Sequence, residues 1–63
     1  MKEIICNNAR QLDICLRMLY AENISFQVNV FENEKKKICY GVTPETDDDR
    51  IAVFEEHFKM LVG

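Results

Sequence analysis

The residues with the most versatile chemistry in this 63-residue chain are one histidine and three cysteines. His57 stands alone, whereas a structural zinc site usually takes four ligands and a catalytic zinc site three. Cys6, Cys15 and Cys39 form no CxxC pair, and each lies inside an apolar periodic segment. We therefore expect buried, reduced thiols, no bound metal or cofactor, and no enzymatic activity.

Two charged runs could be interpreted as a binding site for a metal ion or a phosphate, and each has a simpler explanation. Asp47, Asp48 and Asp49 are consecutive, so on a helix they point in three directions instead of converging on magnesium. Carboxylates in a first helical turn are favoured by the helix dipole. Lys35–Lys37 has no interleaved aromatic residues for stacking on bases and is typical of a soluble turn.

Length and composition predict one small domain, residues 1–63, with a thin core. The chain is 48% hydrophobic and 30% charged, which is ordinary for a globular domain. A core of this size seldom supplies more than about 3–5 kcal/mol, so small domains often gain a second subunit. Because no disulfide framework is expected, self-association is the favoured supplement.

Charge and hydropathy restrict the partners and the compartment. The net charge of −3 disfavours direct nucleic-acid binding, which usually needs a basic patch. No apolar run approaches the roughly 20 residues that span a bilayer, and we expect no secretion signal in the first residues, MKEIIC, which turn polar too quickly. We expect a cytoplasmic protein that binds another protein, with no membrane contact.

The first half of the chain predicts a strand and an amphipathic helix. Residues 2–6 are short and β-branched, as in a strand. Asn7 or Asn8 can cap the helix that follows, which we expect to end near Glu22. Asn23 is then placed to adopt the left-handed conformation that ends helices.

The second half predicts a hairpin and a second helix. Apolar residues alternate from Ile24 to Val30 and resume from 36 to 42, which favours two antiparallel strands joined by a loop of about four residues. The last helix begins either at Thr43-Pro44-Glu45 or at a capping box formed by Thr46 and Asp49. The sequence does not decide between these two starts.

The order β-α-β-β-α predicts an α+β fold in which a three-stranded antiparallel sheet, of order 1-3-2, carries both helices on one face. This is the ferredoxin-like plan stopped before its last strand. The missing strand leaves the first one as an open edge, and open edges are usually covered or paired. A second apolar stripe on the first helix is a further candidate interface. These candidate interface residues are Ile4 and Ile5 on the edge, and Ile14, Met18 and Ala21 on the stripe.

The run LDICLRMLYAENISFQVNV resembles the helix-turn-strand unit of small ACT-like and PII-like bacterial signalling modules. Glu22-Asn23-Ile24 matches their acid-glycine-isoleucine turn, with Asn23 in place of glycine. The resemblance covers about half of the chain and implies assembly through sheet edges and helices. Asn7-Asn8 stands where ACT domains have the glycine-containing loop that holds amino acids, so no ligand residues carry over.

Three functions follow, with a non-enzymatic interaction or regulatory module, assembled as a homodimer, placed first. The alternative is a small acidic inhibitor of bacterial or phage origin that blocks the basic nucleic-acid-binding surface of a larger protein, such as a nuclease. An ACT-like sensor of a small effector is a further alternative. The inhibitor depends on an acidic surface formed by Glu45, Asp47, Asp48, Asp49, Glu55 and Glu56.

Overall fold

The structure, a computed structural model, describes residues 2–63 and has the predicted element order. The strands β1, β2 and β3 form one antiparallel sheet in the order β1-β3-β2, and the helices α1 and α2 pack on one of its faces. This confirms the predicted α+β fold, an arrangement consistent with a small ferredoxin-like fold. The elements are β1 Ile4–Cys6, α1 Ala9–Ala21, β2 Phe26–Glu32, β3 Ile38–Pro44 and α2 Asp48–Val62.

Side-chain caps define the ends of α1. Asn8 Oδ1 accepts a hydrogen bond from the Gln11 amide at 2.9 Å, and Gln11 Oε1 accepts one from the Asn7 amide at 2.9 Å. At the other end, Asn23 has a φ of 56° and sits just past the helix, as predicted. The amide of Ile24 then donates to the Leu19 carbonyl at 3.0 Å, which turns the chain towards β2.

The hairpin between β2 and β3 is closed by Asn33. Its side-chain oxygen accepts hydrogen bonds from the amides of Lys35 and Lys37, at 2.9 and 3.0 Å. Lys36 completes the turn with a φ of 59°, in the left-handed region that favours glycine. The observed strands lie about two residues later than the apolar alternation suggested, but the predicted pairing of faces holds, since Val28 is opposite Val42.

Both predicted starts of α2 are wrong. Pro44 is the last residue of β3, opposite Phe26, and does not begin a helix. Proline has no N–H to donate, but an N–H at this position would point away from β2 and towards the β1 side of the strand. Pairing with β1 begins only at Ile4, opposite Val42, so the sheet tolerates the proline. The N-cap is Asp47, whose Oδ1 accepts a hydrogen bond from the Arg50 amide at 2.8 Å.

The core lies between the two helices and the inner half of the sheet. Ile4, Cys6 and Val42 from the sheet meet Cys15 and Leu19 of α1. On α2, three side chains complete the core: Ile51, Phe54 and Phe58. The helix α1 packs on β1, β3 and α2, and neither helix packs extensively on β2. The helices therefore cover β1 and β3 and leave most of β2 uncovered.

Candidate interaction surfaces

The edge of β1 is a smaller candidate interface than the sequence suggested. Ile4 is 1% exposed and belongs to the core, so the expectation that its side chain meets a partner is wrong. Ile5, on the opposite face of the sheet, remains 41% exposed. Beside it, the Glu3 carboxylate lies over Gly41, in space that any β-carbon on that residue would need.

The backbone of β1 also offers little to a new strand. In an antiparallel sheet, alternate residues direct both N–H and C=O towards the same neighbour. The outward-directed residues here are Glu3, Ile5 and Asn7, and the Asn7 amide already donates to Gln11 Oε1. This leaves a short edge with a carboxylate beside it, which is a common protection against pairing.

The second stripe of α1 is used mainly inside the chain. Ile14 and Met18 are half-buried against the core. Met18 and Ala21 line a groove whose other wall is Phe54 and His57 of α2. The stripe therefore has an intramolecular explanation that the sequence analysis did not give, namely the packing of α1 against α2.

The groove between the helices is small for a ligand site. Its volume is about 230 Å³, and Glu22 and His57 are exposed residues at its rim. Sites for small molecules usually measure roughly 300–1,000 Å³ and enclose most of their ligand. The groove gives no support to a small-effector sensor.

The free edge of β2 is the surface that sequence reasoning missed. Val28 and Val30 face the helix side of the sheet, yet they are 40% and 58% exposed because neither helix reaches them. Ile38, opposite Glu32 on the same face, is 51% exposed. We call Val28, Val30 and Ile38 the valine strip. The alternation of apolar residues predicted this face of β2, and predicted it to be buried. It did not show that no helix covers the face.

The backbone of β2 is aligned for another strand along its whole length. The Asn33 amide donates to the Lys37 carbonyl at 2.9 Å, and the Glu45 amide donates to the Ser25 carbonyl at 2.8 Å. With the constant register between β2 and β3, odd-numbered residues of β2 therefore bond to β3. The even-numbered residues direct their N–H and C=O groups to the free edge; they are Phe26, Val28, Val30 and Glu32.

The six acidic residues do not act as one free surface. Asp47 caps α2, the Asp48 Oδ1 accepts from the Lys2 amide at 3.1 Å, and Glu55 pairs with the Lys2 ammonium at 3.3 Å. The side chains of Glu45, Asp49 and Glu56 make no ion pair within residues 2–63. Two of the six, Asp48 and Glu55, thus hold α2 to Lys2, just before β1, and a third caps the helix.

The thiols occupy positions unsuited to catalysis. Burial raises the pKa of Cys6, and burial together with the neighbouring Cys6 raises the pKa of Cys15 to about 12. A nucleophilic cysteine needs the opposite shift, because the thiolate is the reactive form. Cys39 is buried on the other face of the sheet, where its sulfur accepts from Asn33 Nδ2 at 3.5 Å.

Within residues 2–63, no group of three His, Cys, Asp or Glu residues is placed to hold a metal ion. Neither of the two described helices is long and apolar enough to cross a membrane. No protein-family model, curated protein or solved structure matches the chain.

Proposed function

We propose that this protein is a non-enzymatic protein-protein interaction module that works as a homodimer. The observation that carries the proposal is the uncovered edge strand β2. It exposes Val28 and Val30 beside a full row of backbone groups that are not bonded to β3. Such an edge is a template for another strand, and native proteins cover it, pair it or interrupt it with Lys or Pro. Residues 26–32 of this chain contain neither.

The size of the domain supports the same conclusion. A domain of this length buries only about 60% of the surface of its unfolded chain, and a second subunit adds stability that the core does not supply. The three free, buried cysteines are consistent with a reducing compartment, and we place the protein in the cytoplasm as part of this proposal.

The solution mass tests the proposal. Light scattering after gel filtration, at protein concentrations spanning about a hundredfold, is expected to give a dimer that dissociates only at the lowest concentrations. The dimer should persist at high salt, because backbone pairing and apolar contact are screened less than surface charges. A monomer at every concentration would overturn the proposal.

The acidic inhibitor has weaker support than it had from the sequence. Three of its six carboxylates are already engaged within the chain, as caps or as partners of Lys2. If this function nevertheless holds, Asp49→Asn and Glu56→Asn together should weaken binding to a basic partner, and salt should do the same. The matched control is Gln27→Asn, which changes a distant polar side chain and should leave the affinity unaltered.

A further inference from the structure

The free edge of β2 is not only open but complementary to itself, which sets the geometry of a dimer. A two-fold axis perpendicular to a sheet pairs two identical antiparallel strands and keeps their helices on the same side. Only the even-numbered residues of β2 have free backbone groups, so these must form the hydrogen-bonded pairs. The register that uses all of them has its axis at Asn29, the middle residue of the strand.

We infer that two copies of this chain join through β2 in this register, which makes one continuous six-stranded sheet. This inference rests on the proposed function and names its partner and its surface. Val28 then lies opposite Val30 of the second copy, and Phe26 lies opposite Glu32, with both N–H···O=C bonds formed in each pair. Asn29 meets its own copy on the axis, as a pair without backbone hydrogen bonds.

The side chains agree with this pairing. Val28 and Val30 of both copies become neighbours on the helix side of the sheet, where aliphatic cross-strand pairs are favourable. Asn29 and Gln27 lie on the other face and are exposed; Asn29 meets its own copy there, and Gln27 lies opposite Phe31 of the second copy. Shifting the axis by one residue leaves at least one free backbone position unpaired.

Charges of both signs lie near the ends of the joined strands. The hairpin tip of each copy carries Lys35–Lys37, and the antiparallel pairing brings it alongside the start of β2 in the second copy. Glu22 and Glu45 lie at that end, since the Glu45 amide bonds to the Ser25 carbonyl. Glu32 and Glu34 lie at the same hairpin end as the lysines, so charges of both signs meet at each end of the joined strands and charge does not set the register.

Engineered disulfides test the register. In an antiparallel pair without backbone hydrogen bonds the Cα atoms are about 4.5 Å apart, which is within the disulfide range of about 4.4–6.8 Å. Asn29→Cys should therefore form a covalent dimer under mild oxidation. Gln27→Cys is the matched control, exposed on the same face, and its copies would lie about 13 Å apart, too far to bridge.

A mixture of two variants gives a second check of the register. Gln27 lies opposite Phe31 of the second copy, so Gln27→Cys and Phe31→Cys should cross-link with each other and not with themselves. Both variants carry Cys39→Ala, because Cys39 lies opposite Phe31 in its own chain and would otherwise bridge to it. The unmodified chain, whose three thiols are buried, is the baseline.

The outcomes separate this inference from the proposed function. A wild-type dimer with selective Asn29→Cys cross-linking supports both. A wild-type dimer in which Asn29→Cys does not cross-link, or does so no better than Gln27→Cys, overturns the β2 register alone. A wild-type monomer at all concentrations overturns both.

Discussion

Val42 and Val28 lie directly opposite each other on the same face of the sheet, yet Val42 is fully buried and Val28 is 40% exposed. Neither helix packs extensively on β2, where Phe26 packs against the core and against Tyr20 of α1. The same difference in exposure occurs at the next pair on this face, where Tyr40 is half-buried and Val30 is 58% exposed. A core that meets β2 at Phe26 and leaves Val28 and Val30 exposed makes the rest of this strand available to a partner.

A lysine in the valine strip should separate the dimer without unfolding the monomer. We expect Val30→Lys to weaken dimerisation by at least about tenfold, because an edge lysine opposes strand pairing. Val53→Lys is the control, since Val53 is 67% exposed on α2 and lies away from the sheet edge. Both variants should keep the free energy of unfolding of the monomer within about 0.5 kcal/mol, measured by urea titration at low concentration. Equal dimer affinity in the two variants would contradict the role of the strip.

The left-handed conformation of Asn23 predicts opposite effects for two substitutions. Asn23→Gly should stabilise the protein by about 0.5–1 kcal/mol, because glycine adopts a φ of 56° without steric strain. Asn23→Ala should destabilise it by about 1 kcal/mol, since a β-carbon disfavours this conformation and alanine cannot hydrogen-bond locally. Urea titration of both variants measures the difference, and the same sign for both would contradict the assigned turn.

The cap of α2 is assigned to one of three consecutive aspartates, and alanine substitutions can identify it. Asp47→Ala should cost about 1 kcal/mol of folding free energy, because the Arg50 amide loses its acceptor. Asp49→Ala and Thr46→Ala are controls that leave this hydrogen bond in place. Thermal unfolding compares the three, and a larger loss for Thr46→Ala would favour the capping box predicted from the sequence.

The buried thiols predict a loss of stability at alkaline pH. The folded chain holds the pKa of Cys15 at about 12, above its ordinary value, so the folded state keeps a proton that the unfolded state releases. The resulting stabilisation is complete below the ordinary pKa of 9.0 and is lost as pH rises towards about 12. Unfolding by urea at several pH values should show a steeper decline for the wild type than for Cys15→Ala. Parallel declines would contradict the shift.

The periodicity of the sequence was sufficient for the fold and for the faces of each element. Alternation in residues 24–30 and 36–42 assigned Val28, Val42 and Tyr40 to one face, and the observed register agrees. Asn23 was identified by its position after the helix and by the tolerance of asparagine for a positive φ. These features are local, so a single sequence contains them.

The surfaces depended on how elements pack, which local patterns do not determine. Alternation states which face of β2 is apolar, but the distance to the nearest helix decides whether Val28 is buried. The stripe through Met18 was assigned to a second copy because the sequence predicted both helices on one face of the sheet but did not show which side of α1 faces α2. The start of α2 was predicted wrongly because Thr43 and Thr46 are also good capping residues, and the chain path after Pro44 places Asp47 at the cap instead.

Amide hydrogen exchange in β2 tests the central claim most directly. In a monomer, the amides of Val28 and Val30 face solvent and exchange quickly, while those of Gln27 and Asn29 are bonded to β3 and exchange slowly. Exchange followed by NMR at low and high protein concentration should show Val28 and Val30 becoming protected as the dimer forms, with Gln27 and Asn29 as internal references. Rapid exchange of Val28 and Val30 at concentrations where the mass is that of a dimer would contradict assembly through β2.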